Sequence, residues 1–401
     1  MSDRVDPRRR ALLGAAAGAA VGWSRLSLAA SGSAGGPRFA FVILRGGLDG
    51  LAAAPTPGDP DFAAARGALG EIATAALALD GSFALHPQLV QLHRMYRRGE
   101  LAVIHAVGLA YRERSHFDAQ QVLESGGLRP YELSTGWLGR ALGRSGAKGI
   151  ALSTAVPLVL RGSAAIDTWA PSVLPEPSAD LVTRLERMYL DDPTLATALQ
   201  RARALHFEGA APGGATSGGA MPIGAAPARP GAFAALAGRA AGFLVQPNGP
   251  QAAVLELGGW DTHANQANPN GALANLLRQL DGGLDLLRDG LVAGDAWKRT
   301  VVVVATEFGR EIAINGTLGT DHGSAGAAFV LGGAVAGGRV VADWPGLAKS
   351  ARFEGRDLRT TTDLRAVLKG VLADHLQVAS RTLDDEVFPG SAAIRPLALL
   401  G

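Results

Sequence analysis

The 401-residue chain contains no cysteine. Disulfides, thiolate metal sites, a thiol nucleophile and any nucleophile generated from cysteine are therefore excluded. Long apolar runs are missing as well. The best candidate, Leu12 to Val21, is rich in Ala and Gly and shorter than the about 20 apolar residues a membrane span needs. Lysine occurs only four times beside abundant arginine and alanine, which reads as compositional bias of the genome rather than as function. What is there has the make-up of a soluble globular protein, 47% hydrophobic and 18% charged. The length suits one large or two ordinary domains.

A positive surplus points to nucleic acid only when the folded part of a chain carries it. The formal net charge is +2, but Arg4, Arg8, Arg9, Arg10 and Arg25 against Asp3 and Asp6 put that surplus in residues 1–30. Beyond them 33 bases face 34 acids, a net of −1, so nucleic acid is not an expected partner. Arg8-Arg9-Arg10 is followed by Ala11-Leu12-Leu13, the weakly apolar stretch and small residues at Ser27-Leu28-Ala29-Ala30. That is the three-part layout of a secretory signal, and paired arginines before two apolar residues resemble the twin-arginine type. Residues 1–30 are expected to be an address read by the twin-arginine export machinery. The remainder is expected in the periplasm or cell envelope, with no integral membrane span once the signal is removed. Folding before export lets a metal be loaded first.

Phe39–Leu44 is a short apolar run closed by Arg45-Gly46-Gly47, the pattern of a strand with a glycine stop. Leu101–Val107, Pro157–Leu160, Ala252–Leu257, Val301–Ala305, Ala327–Leu331 and Arg339–Val341 repeat it. The runs are continuous rather than alternating, as in strands covered on both faces. Leu273, Leu276, Leu277, Leu280, Leu284 and Leu287 recur at helical spacing. So do Leu364, Val367, Leu368, Val371 and Leu372, behind Thr362-Asp363,. This alternation predicts an α/β chain, a three-layer α/β/α arrangement around a mostly parallel sheet. Residues 208–231 are Gly, Ala, Pro and Ser with almost no charge. They predict a flexible surface insertion in a single domain spanning 31–401.

In such sheets ligands bind beyond the carboxyl ends of the strands, and here those ends are polar. They carry Arg45-Gly46-Gly47-Leu48-Asp49-Gly50, Arg114-Ser115-His116-Phe117-Asp118, Gly258-Gly259-Trp260-Asp261-Thr262-His263 and Thr306-Glu307-Phe308-Gly309-Arg310, with Gly319-Thr320-Asp321-His322-Gly323 shortly after. Asp, Glu and His without Cys form an oxygen and nitrogen donor set suited to zinc, manganese or magnesium. Each residue also has a structural reading. Asp49 between glycines reads equally as a turn residue, Asp261-x-His263 as an exposed loop pair, and Glu307 as a partner of Arg310 or Arg112. Glycines beside His322 permit close backbone approach, which favours a ligand there. Ser115 opens a helical pattern with Asp118 three residues on, a helix cap. The same place, beside helix N–H groups, suits a nucleophilic hydroxyl activated by a metal. No Gly-x-Ser-x-Gly elbow surrounds it.

Taken together, Arg45–Leu51, Leu85-His86-Pro87, Arg114–Ala119, Gly136–Arg140, Trp260–His263, Glu307–Arg310, Gly319–Gly323 and Asp343–Leu347 resemble the signature blocks of one bacterial family. It is a twin-arginine-exported, sulfatase-like family of domains of unknown function. The family is placed in the alkaline phosphatase, sulfatase and phosphoglycerate mutase superfamily. The resemblance implies an alkaline phosphatase-like topology and a metal-dependent hydrolase core. Residue by residue, it implies Asp49 as a first-strand metal ligand, Ser115 as nucleophile, Asp261 and His263 as a ligand pair, and His322 as the last histidine ligand. Two departures stand out. One residue separates Asp261 from His263 where the superfamily has three, and Glu307-Phe308 stands where it has Asp-His.

The expectation is a hydrolase of a phosphate or sulfate ester, borne on an anionic small molecule or polymer, that uses one or two divalent ions. Ser115 is expected to attack. Asp49, Asp261, His263, Glu307, Asp321 and His322 are expected to hold metal, and Arg45, Arg114 and Arg310 to neutralise the anion, since guanidinium matches phosphate geometry. The competing expectation is a non-catalytic exported binding protein that keeps the fold with an eroded site.

Overall fold

The structure is a computed structural model describing residues 35–171, 177–208 and 231–401. The expected export signal, and residues 209–230 of the expected insertion, lie outside the described residues. The strands are β1 (Arg38–Arg45), β2 (Leu77–Ala78), β3 (Ala84–Leu85), β4 (Leu101–Gly108), β5 (Lys148–Ala151), β6 (Ala165–Thr168), β7 (Ala252–Gly258), β8 (Thr300–Thr306), β9 (Gly326–Leu331), β10 (Arg339–Val341) and β11 (Thr362–Asp363). β2 and β3 form a small separate ribbon; the others make a nine-stranded sheet of order β10-β4-β9-β8-β1-β7-β5-β6, with β11 beside β4.

β1 runs parallel to β7 and β8 on either side. β9 runs antiparallel between β4 and β8. The carboxyl ends of β1, β4, β7 and β8 therefore share one edge with the amino end of β9. That edge carries the site.

Alternation along β1 builds the layers. Ala40, Val42 and Leu44 belong to the core shared with the helices Val90–Arg97, Ala232–Leu244 and Ala272–Ala293. Phe39, Phe41 and Ile43 belong to the opposite core, with the helices His116–Ser125, Trp137–Ser145 and Leu364–Asp374. All six are fully buried, each of the larger ones contributing about 1.5–3 kcal/mol. Burial on both faces is why the runs carry no polar alternation. The architecture is thus the three-layer α/β/α arrangement with a mostly parallel sheet. The Thr362-Asp363 helix start also holds: the Asp363 carboxylate accepts from the Arg365 N–H at 2.8 Å. No helix among the described residues is long and apolar enough to cross a membrane.

One strand expectation fails. Pro157–Leu160 is not in the sheet; Leu158–Leu160 is a short helical turn. It is apolar because it is buried under the helix Trp137–Ser145, where Gly136 presses on its backbone. A short buried run has no period that distinguishes strand from helix. β5 and β6, at four residues each, escaped sequence reading.

β4 contains the fully buried His105. Its Nε2–H donates to the Ala54 carbonyl at 2.8 Å and its Nδ1 accepts from the Ala106 N–H at 2.9 Å. Ala106 adopts φ 52° at the shift in register between His105 and Val107. Both ring nitrogens are thereby satisfied in the neutral form, and burial lowers the pKa to about 4 from 6.5. Between those values the unfolded chain binds a proton that the folded chain refuses, so stability falls on acidification through that window. The urea midpoint is expected to drop between pH 6.5 and 4, and His105→Gln to flatten part of that slope. An unchanged slope in the variant would remove His105 as a source.

Candidate metal centre

Three loops at the sheet edge bring three histidines and an aspartate together. His116 opens the helix after β4, Asp261 and His263 follow β7, and His322 precedes β9. The Nε2 atoms of His116 and His322 lie 3.1 Å apart, as do those of His263 and His322. Asp261 Oδ1 lies 2.8 Å from His263 Nε2, 3.0 Å from His322 Nε2 and 3.4 Å from His116 Nε2. In a tetrahedral site with ligands about 2.0 Å from zinc, neighbouring donors are about 3.3 Å apart. The ligand atoms of His116, Asp261 and His322 all lie within 4.8 Å of one another, and His263 Nε2, beside the last two, also lies 3.4 Å from Arg310 Nη1.

The opposite nitrogen of every ring is held by an acceptor. His116 Nδ1 faces Glu307 Oε1 at 2.8 Å, His263 Nδ1 faces Asp321 Oδ1 at 3.0 Å, and His322 Nδ1 faces the Arg114 carbonyl at 3.0 Å. Carboxylates and carbonyls only accept, so each Nδ1 is placed to donate, the tautomer that leaves Nε2 able to bind a metal. This is the outer support that metal-ligating histidines use. Phe308 packs against two of the rings, its centroid 4.7 Å from His116 and 5.1 Å from His322. It fixes imidazole planes where it cannot supply a donor.

Backbone contacts set these loops. Arg310 and His322 form an antiparallel bridge, as do Ala264 and Leu318. A Cβ on Gly319 would fall 2.1 Å from the His263 carbonyl carbon, and one on Gly323 2.3 Å from that of Arg310. Only glycine admits this approach.

The electrostatics follow the contacts. Burial opposes ionisation of Asp261, but the bond from Arg310 and the histidines outweigh it and hold the carboxyl at about 2. Burial likewise works against Glu307, and the bonds from His116 and the Gly46 N–H bring its carboxyl below the usual range. Asn315 and then His263 lower Asp321. Burial would lower His116, but Glu307 and Asp261 raise it, whereas burial leaves His322 lowered. All three acids are thus anionic at neutral pH.

The remaining expected site residues stand elsewhere. Asp49 is not at the cluster. Its Oδ2 accepts from Arg66 at 2.6 Å and its Oδ1 from the Ala52 N–H at 3.0 Å, in an ion pair that is essentially fully buried. Its turn reading prevails: it caps the helix Gly50–Ala53. Glu307 and Asp321 support histidines from behind rather than joining them at the common point. Ser115 holds the N-cap position without a capping bond from its side chain. The three arginines expected to meet an anion each pair with carboxylates here. Arg45 pairs with Glu256 through two bonds of 2.7 and 2.6 Å and with Glu124 at 2.9 Å. Arg114 pairs with Asp357 at 2.8 Å and Glu354 at 2.5 Å. Arg310, fully buried, donates to Asp261 at 2.6 Å and to the carbonyls of Gly46, Gly47, Trp260 and Thr320. His116 is the residue sequence reasoning missed. Its signal was a histidine at the first position of a helix, beside the favoured Ser115.

Residues 179–386 match the family model described as "Protein of unknown function (DUF1501)". The chain belongs to that family. The matched part spans just over half of the chain and contains Asp261, His263, Glu307, Asp321 and His322. No curated protein matches the chain in sequence. Among solved structures, the PsFucS1 sulfatase from Pseudoalteromonas sp. is similar at 15% identity and TM-score 0.40, over 84% of this chain and 68% of that one. The lipoteichoic acid synthase LtaP from Listeria monocytogenes is similar at 9% identity and TM-score 0.41, over 89% and 76%. The phosphonate monoester hydrolase of Agrobacterium radiobacter is similar at 13% identity and TM-score 0.40, over 86% and 74%.

Removing one partner of a buried ion pair strands the other charge, at about 3–5 kcal/mol. Arg66→Met is therefore expected to lower unfolding stability by that amount in urea titration. Divalent-ion uptake by the folded fraction should stay unchanged. Loss of uptake with stability intact would return Asp49 to the metal site.

Proposed function

We propose that the protein is an exported, metal-dependent hydrolase of a phosphate or sulfate ester that uses one divalent ion. The observation that carries this reading is the grouping of His116, Asp261 and His322, whose candidate ligand atoms all lie within 4.8 Å of one another, with His263 Nε2 beside the last two. His116, His263, His322 and Asp261 would hold the ion. A set dominated by imidazole suits zinc or manganese better than magnesium, which prefers oxygen. A divalent ion there supplies Lewis acidity, which acidifies water and polarises the ester.

The chain's own residues prepare that chemistry. Glu307 and Asp321 orient His116 and His263 and make them better donors. Arg310 holds Asp261 ionised and ties it to the loop after β1. Phe308 keeps water from two ring faces. Ser115 would stand at the helix start beside His116, where its hydroxyl or a water could serve as the attacking group. The N-terminal twin-arginine layout supports placement beyond the cytoplasm, and the sheet's continuity from β1 to β11 supports a single domain over 31–401.

Protein isolated from cells is expected to carry one zinc or manganese per chain by elemental analysis, and to lose ester turnover on chelation. Glu307→Gln is expected to weaken ion affinity about 10–100-fold. An ion-free protein, inert on phosphate and sulfate esters after reconstitution, would overturn the reading. Stoichiometric ion with no turnover of any ester would favour a binding protein instead.

A further inference from the structure

We infer that the ester this site accepts carries a single negative charge, as a phosphodiester or a sulfate monoester does, and not the two charges of a phosphomonoester. The inference rests on the metal-hydrolase reading of the same site and adds its substrate class.

The argument is one of charge. Three carboxylates touch the cluster: Asp261 within it, and Glu307 and Asp321 behind it. The one guanidinium in direct contact, Arg310, is bonded to Asp261 and four carbonyls. One divalent ion and Arg310 together only balance the three carboxylates. The arginines next outward add no surplus. Arg45 sits between Glu124 and Glu256, Arg114 between Glu354 and Asp357, and Arg356 donates to Glu311 and the His322 carbonyl.

A phosphomonoester dianion needs a free forked donor or a second cation for its extra charge. Among the described residues, every arginine bonded to the cluster or its supports already serves a carboxylate. Asp321, half exposed at the mouth of the site, would face the extra charge directly. One additional like charge about 5–7 Å away, at the effective dielectric of a protein surface, disfavours binding about 100-fold.

The test uses the purified zinc- or manganese-loaded protein at pH 8. Turnover of bis(p-nitrophenyl) phosphate, p-nitrophenyl sulfate and p-nitrophenyl phosphate is measured. Calorimetric binding of dimethyl phosphate, methyl sulfate and methyl phosphate supplies a readout independent of turnover. At least one monoanion is expected to be preferred over its dianionic counterpart by about 100-fold in both measurements, and the two monoanion arms distinguish phosphodiester from sulfate. Asp321→Asn, which keeps an oxygen acceptor for His263 and is measured with the site saturated by added ion, is expected to remove most of that preference. A merely structural role for Asp321 would leave the ratio unmoved. Equal or better use of the phosphomonoester would overturn the inference while leaving the hydrolase reading intact. Absence of both binding and turnover for every ester, with the ion loaded, would overturn the hydrolase reading and this inference with it.

Discussion

Three imidazole rings turn their lone pairs onto one point only if each ring is held from behind. Here Glu307, Asp321 and the Arg114 carbonyl do that, each facing one Nδ1. Two of these supports are carboxylates and the third is main chain, so each ring has a fixed acceptor behind it. Much of the local structure serves the supports. Glu307 is buried and accepts from the Gly46 N–H and from Gln120, while Arg114 takes φ 60° with its side chain tied to Asp357. That positive φ is uncommon outside glycine, and here it sits at the residue whose carbonyl meets His322.

The sheet explains why these residues meet. Parallel strands β1, β4, β7 and β8 deliver their carboxyl ends to one edge. β9 runs the other way, so its amino end, with His322 just before it, reaches the same edge. A fully parallel β9 would carry His322 to the far side. The single antiparallel strand therefore completes the cluster, and Gly323 and Gly319 let the loops that follow close on one another.

Much of this was legible in sequence. Continuous apolar runs marked β1, β4, β7, β8 and β9, because burial on both faces leaves no polar alternation to obscure them. The polar strand ends marked the edge, and Asp261, His263 and His322 lie together there. What was not legible depended on pairing between distant residues. Asp49 looks the same in sequence whether it faces a metal or Arg66, and only the fold places Arg66 beside it. Arg45, Arg114 and Arg310 read as anion binders because their carboxylate partners lie from 49 to 243 residues away. His116 was overlooked because the hydroxyl beside it matched a known chemical role.

The two departures from the pattern that the sequence resemblance led one to expect belong to one arrangement. With one residue between Asp261 and His263, both side chains reach the same point, Oδ1 to Nε2 at 2.8 Å. With Phe308 in place of a histidine, the donor lost there is replaced by His116, whose ring rests on the Phe308 face. Glu307, beside it, then becomes the support of His116 rather than a ligand. His116, Asp261 and His322 remain as a group of close donor atoms, and the other carboxylates are committed to Arg66 and to ring nitrogens. The sequence changes that look like erosion one at a time thus describe, together, a smaller centre with its own consistent geometry.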